Sequence, residues 1–141
     1  MKPQPSRLFG LLLALFLCLL GCAHGKDFKQ IENFPYDKAL VYFYRPSSHA
    51  ASGQNYSIKL IETELGKLRN GSYFAYLADP GRHTFYYDGR YGFAKVTLDL
   101  FAGETYYIRG QPGGFLGTRF KLEQVHPVIG RMEIVDCHQS Q

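Results

Sequence analysis

Phe93-Ala-Lys-Val-Thr-Leu-Asp-Leu-Phe101 alternates apolar and polar residues along its whole length. Period two puts Ala94, Val96, Leu98 and Leu100 on one side of a strand, and Lys95, Thr97 and Asp99 on the other. A helix would scatter the same residues around its axis, so the segment is a half-buried strand. Upstream, Ala39-Leu-Val-Tyr-Phe-Tyr-Arg45 is rich in β-branched and aromatic residues and stops at Pro46. Residues 56–62 alternate, with Tyr56, Ile58 and Leu60 on one face. Residues 65–68 form a short strand ended by Asn70-Gly71, a pair that tolerates positive φ and signals a hairpin into residues 72–78. Asp79-Pro80-Gly81 is a turn, residues 83–87 follow, and Asp88-Gly89 ends them.

Downstream, Ala102-Gly103 turns the chain into residues 105–110, and a glycine-rich loop leads to residues 118–125 with Phe120 and Leu122 inward. Strands at regular spacing, each bounded by turn residues, predict an all-β fold. The expected form is a small antiparallel β-sandwich of seven to eight strands, with a small barrel as the alternative closure. Residues 127–137 are a strand or a short C-terminal helix. Val128, Ile129, Met132 and Val135 supply the apolar face of the helix at i, i+1, i+4 and i+7.

The N-terminus has a different character. Lys2 and Arg7 precede 13 apolar residues at 8–20. A membrane-spanning helix needs about 20, so the stretch fits the core of a secretory signal. Leu19-Leu-Gly-Cys22 closes it and resembles the lipobox of bacterial lipoproteins. That resemblance implies a signal peptide at 1–21 and lipidation of Cys22 with diacylglyceryl and palmitate-type chains. The alternative is an ordinary secretory signal that contains a cysteine. Cys22 is followed by Ala23 rather than aspartate, which implies an outer-membrane anchor facing the periplasm in a cell with two membranes. Residues 22–38 are then a lipidated N-terminus and tether. They either reach away from the membrane or lie along the domain through Phe28, Ile31 and Phe34. The β-sandwich domain occupies 39–141.

Loss of Lys2 and Arg7 lowers the basic residues from 16 to 14 against 12 acidic ones. So balanced a chain is poor evidence for nucleic-acid binding, where a clustered basic face would be expected, and no nucleic-acid partner is expected. Of the three cysteines, Cys18 leaves with the signal and Cys22 is lipidated. Cys137 is either a buried small hydrophobe or a thiol free for intermolecular pairing.

Four segments together resemble an uncharacterised family of bacterial lipoproteins, domain of unknown function 2846. They are Ala39-Leu-Val-Tyr-Phe-Tyr-Arg-Pro-Ser-Ser48, Leu68-Arg-Asn-Gly-Ser-Tyr-Phe74, Asp79-Pro-Gly-Arg-His83 and Ala102-Gly-Glu-Thr-Tyr-Tyr107. The likeness runs from about Ala39 to Asp136. The Pro-Gly turn and the later Ala-Gly-x-x-Tyr-Tyr are also similar to surface-repeat and carboxypeptidase-regulatory β-sandwich modules. The resemblance implies a compact antiparallel sandwich on a lipid anchor and supplies no catalytic residues.

Catalytic and cofactor patterns do not emerge. His24, His49, His83, His126 and His138 have no metal-ligand spacing, so neither a metal nor another cofactor is expected. Gly110 to Gly117 precedes a strand rather than the helix a phosphate cradle needs, and reads as a loop with Phe115 and Leu116 at its tip. Ser47-Ser48-His49 with Asp79 or Asp88 is a combination any chain offers by chance, and no nucleophile elbow is present. No enzyme is expected.

Tyrosine and arginine remain. Period two sends Arg82, Thr84 and Tyr86 outward, and likewise Tyr107, Arg109, Arg119 and Lys121. Tyr86, Tyr107, Arg109 and Arg119 are the candidate partner-binding face, because tyrosine and arginine are enriched at interfaces. The competing explanation is that such tyrosines only pack across strands. The expected function is a non-enzymatic envelope lipoprotein that binds or braces another envelope protein. Peptidoglycan or another glycan is the alternative ligand, and an enzyme with an unrecognised site ranks last.

Overall fold

The computed structural model describes residues 26–140. The expected signal peptide at 1–21, Cys22 and the side chain of Leu116 lie outside the described residues. Among the described residues, nine strands form two sheets. The strands are β1 (Ala39–Arg45), β2 (Tyr56–Leu60), β3 (Thr63–Leu68), β4 (Ser72–Ala78), β5 (Gly81–Gly89), β6 (Gly92–Leu100), β7 (Thr105–Gly113), β8 (Arg119–Val125) and β9 (His138–Gln139). One helix, α1 (Pro127–Ile134), precedes β9. The first sheet has the order β8-β7-β1-β4-β9 and the second β3-β2-β5-β6.

The sandwich is therefore all-β as expected, with one strand more than the upper count. The first sheet is mixed rather than purely antiparallel. β1 pairs parallel with β7, and β9 parallel with β4. Parallel neighbours need a long crossover. Here the whole second sheet lies between β1 and β7 in sequence, a relation that no local pattern encodes. The Asn70-Gly71 turn forms, with Gly71 at φ 65°, but it joins no hairpin. It carries the chain from β3 in one sheet to β4 in the other. Two-residue hairpins instead join β2 to β3, where Ile61 takes φ 56°, and β5 to β6, where Gly89 pairs with Gly92.

The inner faces form the main core. Val41, Phe43, Phe74, Phe85, Ile108 and Phe120 meet there with Ala94, Leu98 and Leu100 from β6. Phe43 stacks on Phe74 at 5.0 Å and meets Phe85 edge-on at 5.0 Å. Arg45 ends β1 inside this end of the sandwich with none of its surface exposed. Its guanidinium donates to the carbonyls of Gln54 (2.6 Å) and Ala51 (2.7 Å) and lies over the Tyr56 ring. It thereby ties down the loop after β1.

β1 is buried at all seven positions. Its outward residues Leu40, Tyr42 and Tyr44 belong to a second, smaller core with Tyr73, Tyr107, Val125, Ile134 and Cys137. Phe28 and Phe34 pack against that core. The Ile31 N–H donates to the Tyr42 hydroxyl at 2.7 Å, and Asp27 bridges His138 of β9. Residues 26–38 thus lie along the domain through Phe28 and Phe34, whereas the Ile31 side chain is exposed and only its N–H makes contact.

Candidate functional site

The tyrosine and arginine side chains divide between the two outer faces of the sandwich. Tyr107 and Arg109 on β7 and Arg119 on β8 point outward from the first sheet, while Tyr106 and Ile108 join the inner core. Period two assigned these sides correctly. Exposure to solvent does not follow, because α1 lies on this face. Gly130 of α1 sits against the Tyr107 ring so closely that a Cβ there would stand 2.3 Å from Tyr107 Cγ. Tyr107 stacks on Tyr42 at 5.4 Å and has no exposed surface. Burial raises its phenol pKa, an effect the neighbouring Arg131 guanidinium opposes. Tyr107 is therefore a packing residue and not a solvent-facing anchor. The face of a strand is local information, whereas its cover comes from residues some 20 positions later.

Arg109 closes the same contact by charge. Its Nε and Nη2 donate to Glu123 Oε1 at 3.1 and 2.7 Å, and its Nη1 donates to Glu133 Oε1 of α1 at 2.7 Å. The Tyr44 hydroxyl donates to Glu133 Oε2 at 2.5 Å, and Lys121 pairs with Glu123. The Glu123 carboxylate holds the Arg109 pKa up, and burial followed by Glu133 raises the Tyr44 phenol. Lys121 and then Arg109 hold Glu123 below the usual carboxylate range. A cleft of about 330 Å³ opens beside this cluster, between Ser47, Ser48, Gln111 and Glu133. Arg109 lines it, but three of its nitrogens are already engaged by carboxylates. The cluster is a clamp holding α1 on β7 and β8.

Ser47-Ser48-His49 follows the end of β1 at Arg45, whereas Asp79 lies beyond Ala78, which pairs with Ala39 at the start of that strand. Seven residues of strand, roughly 20 Å, separate them. Asp79 instead pairs with Lys38 at 2.5 Å, and its main-chain oxygen meets His83 Nε2 at 2.8 Å. Among the described residues, no group of three or more His, Cys, Asp or Glu side chains is arranged to hold a metal ion. Cys137 is buried, its thiol pushed up to about 12 by that burial, with Asp136 and Glu133 adding to the effect.

Tyr86 belongs to the other face. It points outward from β5 in the second sheet, with Arg82 and Thr84 beside it and Lys95 and Thr97 of β6 as neighbours. The four residues of the candidate face therefore do not form one surface: Tyr86 lies on one side of the sandwich, and Tyr107, Arg109 and Arg119 on the other. Tyr86 donates to the Ile61 carbonyl and stacks with Phe93 at 6.3 Å. Leu60, Ile61, Arg82, His83, Thr84 and Tyr86 line a shallow, mainly apolar depression. Ile61 and Phe93 are largely exposed beside it. Sequence reasoning missed both, although each stands next to a turn.

α1 holds a further surprise. The helix forms, and its apolar stripe is the side left outside: Val128, Ile129, Met132 and Val135 are 58, 47, 70 and 56% exposed. Gly130 and Ile134 are buried instead. At about 100° per residue, Val128, Met132 and Val135 lie roughly 140–200° from Gly130, on the far side of the helix. Phe115, in the short loop between β7 and β8, is also exposed.

A model of the family described as "Protein of unknown function (DUF2846)" matches residues 35–112. No curated protein matches the chain. Among solved structures, the N-terminal domain of AlgF from P. aeruginosa is similar at 21% identity and a TM-score of 0.44, over 67% of this chain and 100% of that one.

Proposed function

We propose that this chain, which belongs to the DUF2846 family, is a lipid-anchored, non-enzymatic module of the cell envelope. It contacts a second envelope component through the open outer face of the β3-β2-β5-β6 sheet. One observation carries this reading: the two outer faces are unequal. α1 and residues 26–38 close over the first sheet. The second sheet leaves Arg82 and Tyr86 outward beside exposed Ile61 and Phe93. Tyrosine and arginine beside apolar surface is the composition of an interface core. The lipobox-like Leu19-Leu-Gly-Cys22 supports the anchor. Two or three acyl chains on Cys22 hold a protein firmly where one holds it only marginally. In a cell with two membranes the domain then faces the periplasm from the outer membrane.

Two experiments test the two halves. Cys22→Ser should abolish metabolic labelling by fatty acid, and equal labelling of the variant would refute the anchor. The double variant Arg82→Ala, Tyr86→Ala should still fold, with a melting temperature lowered by several degrees at most, because Arg82 is exposed and Tyr86, half-buried, gives up one surface hydrogen bond and one ring contact. It should lose the partner captured by crosslinking in intact envelopes. A stable variant with undiminished crosslinks would remove this face from consideration.

A glycan is the second reading, and the Tyr86–Phe93 stack, on the same outer face as Arg82, favours it. Aromatic faces stack on sugar rings, and a guanidinium binds acidic groups on them. Sedimentation with purified cell wall, lost in the same double variant, would select glycan over protein.

A further inference from the structure

We infer that α1 is a membrane-contact helix. Its exposed stripe of Val128, Ile129, Met132 and Val135 enters the acyl boundary of the bilayer that holds the lipid on Cys22, and so fixes which way the sandwich faces. The inference rests on the anchored reading above.

Two observations converge on a bilayer as the occupant. The first is the helix itself. Gly130, Ile134 and Cys137 pack on the domain, and Glu133 is held by Arg109 and Tyr44. The four apolar residues on the opposite side face outward and do not build the domain. Arg131 and Asp136, of opposite charge, are exposed beside them. Neighbouring charges so balanced suit an apolar contact better than an electrostatic one.

The second observation is where the chain enters the fold. The Lys26 carbonyl accepts from Gln139 N–H at 2.7 Å, and Asp27 bridges His138. Gln139 stands five residues beyond the end of α1. Cys22 stands four residues before Lys26, so covalent geometry limits the span between them to about 14 Å. Phe28 and Phe34 then run along the same outer face on which α1 lies. A lipid on Cys22 thus brings the bilayer to this face of the molecule, and the nearest helix offers an apolar stripe there. Interfacial helices bury such a face about 5–10 Å deep, and an acyl anchor supplies the second attachment that a short helix needs.

The test uses the full chain, processed in cells and reconstituted into vesicles of phosphatidylethanolamine and phosphatidylglycerol with brominated acyl chains. One variant carries Met132→Cys and a control carries Thr97→Cys on the opposite sheet. Each bears an environment-sensitive fluorophore on the new thiol, Cys137 being buried. Flotation and fatty-acid labelling report the anchor independently. The expected result is flotation with the probe at 132 quenched at least fivefold more than the probe at 97. Flotation with equal quenching at both positions overturns the inference and leaves the anchor standing. A probe at 132 that shifts to the blue without bromine quenching points to a protein or a second copy on the stripe, and also overturns it. A chain that neither floats nor takes up fatty acid overturns the anchored reading and the membrane contact together.

Discussion

Gly130→Ala should destabilise the domain even though it improves the helix. Alanine is more favourable than glycine by about 0.8–1.0 kcal/mol in a helix interior. At Gly130 the added methyl would stand 2.3, 2.4 and 2.7 Å from Tyr107 Cγ, Cβ and Cδ1. Carbon pairs rest at about 3.5–4.0 Å, so helix and ring must part by roughly 1 Å. The contacting atoms are the root of the side chain, not a flexible tip, and Tyr107 is backed by Tyr42 in a 5.4 Å stack. Lifting α1 would also stretch the 2.7 Å Arg109–Glu133 and 2.5 Å Tyr44–Glu133 contacts.

Overpacking costs about 1–3 kcal/mol, and loosening the clamp adds to that, so the propensity gain is outweighed. The net loss is about 2 kcal/mol, roughly 6–12 °C in Tm for a domain of this size. Gly53→Ala is the control, since a Cβ there meets nothing within 4 Å. It should be neutral or stabilising by up to about 1 kcal/mol. Urea and thermal unfolding of both variants decide the matter. A Gly130→Ala protein as stable as wild type, or more stable, would refute close seating of α1 on Tyr107.

Tyr107→Ala with Arg109→Ala should lower stability by about 4 kcal/mol or more in urea unfolding, because it empties a buried aromatic site and removes the arginine that Glu123 and Glu133 share, leaving them only Lys121 and the Tyr44 hydroxyl. A variant with wild-type stability would return these residues to the list of solvent-facing anchors. Val96→Asp should abolish cooperative melting or cut Tm steeply by placing a charge against the core, whereas Thr97→Asp, which loses the 2.8 Å contact with Thr84, should shift Tm by a few degrees. Equal losses would reject the β6 register. The contribution of the buried thiol and phenols to stability should be full below about pH 8.5 and fall as pH rises towards about 12, because burial raises the Cys137 thiol and the Tyr42, Tyr44, Tyr56 and Tyr107 phenols in the folded state. A urea midpoint unchanged between pH 7 and pH 10.5 would contradict that burial.

Strands and their faces were legible because alternation is a local property. The inward sets Ala94, Leu98, Leu100 and Phe120, Leu122 follow from period two alone, and β1 and β4 run over the expected residues. Pairing partners were not legible. Asn70-Gly71 specifies a turn, and the same turn serves a hairpin or a passage between sheets. A hint did exist in β1. Ala39 to Tyr44 is an unbroken apolar run, and strands covered on both faces lose their alternation. That run implied a second cover over the first sheet, which is why Tyr107, on the strand beside it, is not at the surface. The clamp of Arg109 with Glu123 and Glu133 joins residues 14 and 24 positions apart. Its geometry depends on the antiparallel β7–β8 pair, which sets Arg109 opposite Glu123, and on a helix placed by the fold.

The periodicity of α1 identified its apolar side and carried no information on where that side points. Amphipathicity says only that two faces differ. The face that packs is decided by how closely each can approach the sheet, and Gly130 lets the helix seat directly on a tyrosine ring. Ile134 and Cys137 then fill the space along the same line, while Glu133 is fixed by Arg109 and Tyr44. These contacts hold the helix without any part for Val128, Ile129, Met132 or Val135. Single exposed apolar residues are ordinary on a protein surface, but four on one helical stripe form a patch. Folding places no demand on that patch. The demand lies outside the domain, on the side where residues 26–38 also run, and it leaves the sheet bearing Arg82 and Tyr86 turned the other way.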